Sequence, residues 1–511
     1  METKKGFLEL LFLTDEQEYT IDRYWERGGI FVLLLFILSV LPYSSKAQMS
    51  SDSLVQKIAG YIDAIQNFGD VLPQEKVYLH FDNTSYYQGD PIWFQCYVVT
   101  PGLNHPTELS KTLYVELLNP GGEIISKRVL PIRNGCHSSF ELTQLPFYSG
   151  FYEVRAYTKY MLNFGEEIIF SRVLPVFDKP ANPGEYKEKN IQKYAVYKYP
   201  QTRKKAIKVN LKFFPEGGNL VKGVPSQVAF EATDAYGNPI TLFGRIINRR
   251  KEEIGHFATI HEGRGVFTYI PTGEDADKAE VELGGKKYRF DLPEVRSQGY
   301  VLHVDNLTSE DSIAVSVQKN TYTPSNLLGL AVIAHGKLLN SCLLNVGKNT
   351  PVSFKLDKSE WTPGVVQLVL FDTAGQIIAD RLVFTRKPEL LVVDVRKSKE
   401  SYQPFERVTL DFSVRDTTGN PVSTPMSVSI RDGWEEVESR HSMLVDLLLM
   451  SEIKGYVHRP LYYFEVNDME HRLALDCLLM VQGWRRYKWK YAAGVEPFEL
   501  KYMPEQGIEV H

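Results

Sequence analysis

The stretch Lys76–Val99, KVYLHFDNTSYYQGDPIWFQCYVV, leaves this chain little freedom in choosing a fold. Val77, Leu79 and Phe81 alternate with Tyr78, His80 and Asp82, a period of two that sets one face of a strand against a core. Asn83-Thr-Ser breaks the alternation with turn-forming side chains, and Gln88-Gly-Asp-Pro allows a second reversal. Ile92, Phe94, Cys96 and Val98 then form a second alternating face. The stretch reads as strand, turn, strand.

At 511 residues the chain is too long for one core, which predicts roughly three to five domains of about 100–150 residues. Its 43% hydrophobic and 12% aromatic content is globular, and the supply of Tyr and Phe leans toward β structure. A net charge of −5 gives no electrostatic footprint for nucleic acid, so none is expected as a partner.

Ile30–Leu41 is an almost unbroken apolar run, too short for an ordinary membrane-spanning helix. Arg23 and Arg27 precede it, and Ser45-Lys46-Ala47 offers small residues for cleavage. Residues 1–47 therefore read as an N-terminal extension and secretory signal, cut between Ala47 and Gln48. The competing reading is an uncleaved anchor, and in either case membrane contact comes only through this segment. Acids ahead of the run (Asp15, Glu16, Glu18, Asp22, Glu26) fit a start codon assigned too early. Export is the expectation.

Four cysteines in an exported chain of this length do not make a disulfide scaffold. Cys96 and Cys136 fall in one sandwich with inward parity, as a bridge or as two packed thiols. Cys342 and Cys477 have no obvious partners, and no His/Cys grouping has zinc spacing. No metal or cofactor is expected.

Two weak repeats divide the chain. The pattern [Asp/Asn]-x-x-Gly-x-x-[Ile/Val] occurs at Asn119–Ile125, Asp234–Ile240, Asp372–Ile378 and Asp416–Val422, each after an alternating apolar run. A turn residue also precedes a strand at Gly89, Gly223, Pro324 and Pro404. The expected order is a short helix over 48–71 (Leu54, Ile58, Ile62 and Ile65 on one face) and a sandwich over 72–178. A Pro- and Lys-rich linker over 179–205 follows, then sandwiches over 206–294 and 297–388 and a partial one over 389–441. A helical segment over 442–483 and a strand with tail over 484–511 close the chain.

Asp82, the tyrosine-bearing turn and Gly89-Asp-Pro-Ile resemble the entry hairpin of the macroglobulin-type domain. Gly150-Phe-Tyr-Glu-Val-Arg-Ala-Tyr-Thr is similar to that family's penultimate strand, and Phe214-Pro-Glu-Gly-Gly-Asn to a later domain of its bacterial members. The helical segment followed by QGWRRYKW resembles bacterial envelope proteins that continue into a small β domain and a TonB-receptor plug domain. Gly507-Ile-Glu-Val reads as a strand just beginning, which fits a truncated product. The implied fold is mainly β: tandem macroglobulin-like (Ig-like) antiparallel β-sandwiches with a small helical insertion near the C-terminus. The resemblance also implies a place in the periplasm, outer membrane or surface of a Gram-negative bacterium. The expected role there is a non-enzymatic scaffold or interaction module linked to TonB-dependent uptake, with envelope proteins or a TonB-dependent receptor as partners. The alternative is a macroglobulin-type endopeptidase inhibitor without a thioester, whose partners are proteases and whose bait segment would be Asp178–Lys205.

Catalytic signatures are missing. There is no HExxH, no Gly-x-Ser-x-Gly and no P-loop, so no catalytic residue is assigned. His256, His261 and Glu262 lack metal spacing, and Glu435, Glu436 and Glu438 read as a solvated face, as does Arg203-Lys-Lys. Tyr86, Tyr87 and Trp93 read as sandwich core, with a sugar or peptide platform as the other reading. Trp484, Arg485, Arg486 and Tyr487 are expected at a domain junction. Ser53, Ser312, Thr373 and Thr417, each after an aspartate, resemble O-glycosylation acceptors of one group of Gram-negative bacteria.

Overall fold

The computed structural model describes residues 52–507 apart from 134–135, 142–147, 183–208, 274–276, 325, 348–349, 388–390, 404, 432–440 and 484–487. Ala47, Gln48, the Trp484–Tyr487 group, Glu435–Glu438 and Arg203–Lys205 therefore lie outside the described residues, as does most of the 179–205 linker.

The first sandwich holds β1 (Lys76–Phe81), β2 (Pro91–Thr100), β3 (Thr112–Leu118), β4 (Ile124–Pro131), β5 (Cys136–Glu141), β6 (Gly150–Tyr157) and β7 (Phe170–Phe177). The second holds β8 (Asn210–Pro215), β9 (Ser226–Thr233), β10 (Phe243–Ile247), β11 (Glu253–Ala258), β12 (Arg264–Tyr269), β13 (Lys278–Leu283) and β14 (Lys286–Asp291). The third holds β15 (Tyr300–Asp305), β16 (Ser312–Lys319), β17 (Leu327–Ala334), β18 (Lys337–Asn345), β19 (Val352–Asp357), β20 (Gly364–Phe371) and β21 (Ile377–Thr385). All three share one topology. The first, second and fifth strands form one sheet in that order, and the fourth, third, sixth and seventh form the facing sheet. A further pair, β22 (Leu391–Lys397) and β23 (Leu410–Asp416), forms a two-stranded sheet. The mainly β, tandem-sandwich class expected from the sequence is the class observed.

The alternation read at Lys76–Val99 has its physical cause here: Ile92, Phe94, Cys96 and Val98 are buried, and Val77, Leu79 and Phe81 lie opposite Val98, Cys96 and Phe94. β17 and β20 instead read as continuous apolar runs because both faces are covered. Leu330, Val332, Leu368 and Leu370 point into the sandwich. Ala331, Ile333, Val369 and Phe371 meet helix α1 (52–71) on the outside, through Ile58, Ile62 and Ile65. Gly69 of α1 passes so close to the Gly336 carbonyl that a Cβ would sit 2.2 Å from that oxygen.

The chain divides into two compact units that are not simple runs of sequence. One contains α1, the second and third sandwiches and the helical segment from Leu448 to Lys501; the other contains the first sandwich, the β22–β23 hairpin through Leu447 and the tail from Tyr502.

The expected continuous helix from Ser442 is broken into α2 (Met443–Val445) and a π turn over Asp446–Met450, then α3 (Tyr462–Glu465) and α4 (Met469–Val481). Leu444, expected on the apolar face, is exposed, because the wider π turn rotates Leu447 and Leu448 inward without it. α4 is capped by Asp468, which accepts from the His471 N–H at 2.9 Å. The strand expected after 484 is also corrected: Trp489–Ala492 forms a helical turn, α5. Its Trp489 ring packs 4.8 Å from Phe371, and its Nε1–H donates to the Gly375 carbonyl at 2.8 Å.

Candidate functional site

In the first unit, the buried charges form a connected network. The tight turn after β8 holds Glu216 inward, with Gly217 at φ 70°. One carboxylate oxygen accepts from the Val304 N–H at 3.1 Å and from Arg381 Nε at 3.0 Å, and the other meets His303 Nδ1 at 2.7 Å. Arg381, buried on β21, also donates to the Leu382 carbonyl and to Asp476 of α4 at 2.6 Å. Burial pushes the Asp476 carboxyl up against the pull of Arg381, and the hydrogen bond to Glu216 raises His303. Asp476 Oδ1 has no hydrogen-bond partner among the described residues. Charges arranged this way tie two sandwiches to a helix. The sequence reading missed all four residues. Two of the four carried a signal, a charge inside an otherwise apolar run: Arg381, beside Asp380, in IIADRLVF and Asp476 in LALDCLL.

Nearby in the same unit, the ring of His261 stacks on Tyr462 at 3.6 Å between centroids, and Tyr462 stacks on His471 at 4.4 Å. Burial lowers the His261 pKa. His256 sits elsewhere, on β11 against Phe243, so the two histidines are not brought together. Among the described residues, no group of three or more His, Cys, Asp or Glu side chains could hold a metal ion.

In the second unit, Tyr86 and Tyr87 are buried and Trp93 is exposed. Tyr86 donates to Asp82 at 2.7 Å, and the same carboxylate oxygen accepts from the Trp93 N–H at 3.0 Å. The aspartate thus pins the hairpin, and the two tyrosines belong to the core, leaving Trp93 alone at the surface. The ladder sets buried Cys96 directly opposite Cys136, whose side chain is outside the described residues. Burial pushes the thiols of Cys342 and Cys477 up to about 12, which suppresses thiolate chemistry at both. Ser53 lies on α1, Ser312 opens β16, and Thr373 and Thr417 sit in Asp-led loops.

One open feature of this unit is a trough of about 440 Å³ whose apolar lining is Leu391, Val393, Phe412, Val414, Met426 and Val428. It arises from one face of the hairpin, where Val393 pairs with Val414 and Val395 with Phe412, and from the segment 424–430. That segment is held by Ser427, which meets His80 Nδ1 at 2.5 Å and Tyr97 Oη at 2.7 Å. Burial lowers the His80 pKa, with Arg431 acting in the same direction. His80, Thr424, Ser427 and Ser429 also line the trough.

No family model matches the chain. No curated protein matches it either. Among solved structures it is similar to Salmonella alpha-2-macroglobulin reacted with methylamine (12% identity, 67% of this chain, 25% of that one, TM-score 0.18). It is also similar to native Escherichia coli alpha-2-macroglobulin (11%, 69% and 26%, TM-score 0.18). A third is dimeric latent PorU from Porphyromonas gingivalis (12%, 61% and 34%, TM-score 0.25). The chain spans about a quarter of the length of the alpha-2-macroglobulins it matches.

Proposed function

We propose that the chain is a non-enzymatic scaffold and interaction module of the Gram-negative cell envelope, linked to TonB-dependent uptake. The observation that carries this reading is the trough of the second unit, an apolar sheet face left open. The apolar run Ile30–Leu41 ahead of Ala47 supports export.

Fractionation of tagged chain in a Gram-negative host tests the location. Recovery with the envelope and a mature N-terminus at Gln48 is expected, and full-length chain in the cytoplasm overturns it. A trypsin challenge tests the role. Trypsin is expected to keep its full activity on protein substrates while the chain keeps its hydrodynamic radius; retention of trypsin with a change of radius would replace the scaffold by an inhibitor. Co-purification with a TonB-dependent receptor from solubilised outer membrane is the expected result for the uptake link, and its loss at native expression removes that link.

A further inference from the structure

Within the second unit, the segment 502–507 lies on the first sandwich and is held there by polar groups. Asn163, in the 3-10 helix Lys159–Phe164, reads the backbone of Tyr502 with both ends of its amide. Its Nδ2–H donates to the Tyr502 carbonyl at 2.7 Å, and its Oδ1 accepts from the Tyr502 N–H at 2.9 Å. The Lys111 N–H donates to the Glu505 carbonyl at 2.7 Å, and Thr112 Oγ1, at the start of β3, donates to the Gly507 carbonyl at 2.9 Å. Gln506 Nε2 donates to the Leu109 carbonyl at 3.2 Å. One side chain is read by its charge: Glu505 Oε1 accepts from Lys159 Nζ at 2.6 Å and from Tyr114 Oη at 2.9 Å.

Apolar burial is not what fastens this segment. Tyr502 and Met503 are 42% and 69% exposed, whereas the side chain of Glu505 is 22% exposed. The carboxylate is received by groups that the sandwich itself holds in place. Tyr114 on β3 stacks on Tyr157 of the neighbouring strand β6 at 5.6 Å. Tyr157 donates to Glu116 at 2.8 Å, and Glu116 also holds Lys127 at 2.9 Å. Lys127 and Lys159 lie 5.0 and 5.3 Å from the centre of the Tyr114 ring, and two cations so placed make its hydroxyl a better donor. Glu505 Oε2 is enclosed and has no hydrogen-bond partner among the described residues. Lifting the segment away hands that oxygen to water, which offsets part of the bonding lost.

We infer that this face of the first sandwich is a binding site for an extended, carboxylate-bearing peptide, and that 502–507 occupies it in cis as a releasable strap. A partner competing for the face is an acidic segment in extended conformation. The main-chain bonds to Lys111, Thr112 and Asn163 accept many sequences, because every residue carries the groups they read. Tyr114 and Lys159 supply the selection, since a neutral amide in place of the Glu505 carboxylate forfeits two charge-assisted bonds. This goes beyond the scaffold reading and uses no residue of the trough.

The test uses the full chain and the full chain carrying Glu505→Lys, which sets one ammonium against another at Lys159. Release of the strap is read first. The Lys111 amide is expected to exchange at least about tenfold faster in the variant, while the amides of β3 and β6 keep their protection. The probe is a fluorescein-labelled peptide of Tyr502–Gly507, YMPEQG, titrated into the millimolar range. Saturable anisotropy is expected with the variant, together with renewed slowing at Lys111. Binding to the unaltered chain is expected to be at least about tenfold weaker, because its own strap holds the site at an effective concentration on the order of millimolar. The same peptide carrying Glu505→Gln is expected to bind the variant at least about tenfold more weakly. Unchanged exchange at Lys111 overturns the inference, as does the absence of saturable binding. Equal binding by the two chains or by the two peptides overturns it as well. Faster exchange throughout β3 and β6 would make the segment part of the fold and overturn the releasable strap. None of these results touches the fractionation or trypsin outcomes.

Discussion

Lys251 adopts φ 65° at a loop position where four related loops carry glycine. Asn119, Asp234, Asp372 and Asp416 each accept two backbone N–H bonds at 2.8–3.0 Å from residues two and four further on. Asn248 does the same from Arg250 and Glu252, so Asn248–Glu252 is a fifth copy of the repeat. Pattern reading missed it because lysine replaced the glycine it searched for. Left-handed backbone is unfavourable for lysine, so Lys251→Gly is expected to stabilise the chain by about 0.5–1 kcal/mol in chemical denaturation, the steric relief outweighing glycine's chain entropy. A lower midpoint would contradict that. The charged network gives a larger effect. Arg381→Met leaves Glu216 and Asp476 buried without their cation, and a loss of about 3–5 kcal/mol is expected in calorimetry. A change within error would show that the network does not hold the unit together. Its pH dependence follows from the raised pKa values of His303 and Asp476. A folded pKa above the unfolded one contributes stability that is complete below the unfolded value and is lost as pH rises through the folded value. The His303 contribution is therefore full below about pH 6.5 and fades above it. Its half-exposed side chain limits the effect to about 0.5 kcal/mol or less. His303→Gln is expected to flatten the melting temperature between pH 6 and 8, and an unchanged slope would contradict the assignment.

At the scale of single elements, alternation was the most legible signal and tertiary coverage the least. β16 carries that alternation because Ile313, Val315 and Val317 face one core while the intervening residues are half-buried. β17 and β20 lose that alternation because α1 covers their outer face, and α1 lies more than 250 residues earlier in the sequence, as the contact of Ile58 and Ile65 with Val369 shows. The spacing of Leu54, Ile58, Ile62 and Ile65 revealed the helix but not its partner. Ile65→Ala is expected to cost about 2–5 kcal/mol by the cavity it opens, and Leu54→Ala, at an exposed position, to leave the denaturation midpoint within error. Equal effects would mean that α1 does not dock through that face. The candidate site was legible only in part. The hairpin β22–β23 carries the same alternation as the buried strands, since periodicity records which side chains share a face and not whether anything lies opposite it.

For the molecule as a whole, the account is of one strand order used three times and begun a fourth time. The turn repeat marks strand connections at different places in that order: after the third strand at Asn119, after the second at Asp234 and Asp416, and after the sixth at Asp372. What sequence order could not give was the grouping of α1 with sandwiches that come much later in the chain. Residue-resolved hydrogen exchange on the full chain tests the central claim most directly. Amides of β16 and β20, covered by facing sheets, should exchange only by large-scale opening, whereas those of β22 and β23 should exchange orders of magnitude faster despite their full antiparallel ladder. Protection of the hairpin equal to that of β15 and β16 would mean its apolar face is already covered, and the open fourth unit would be wrong.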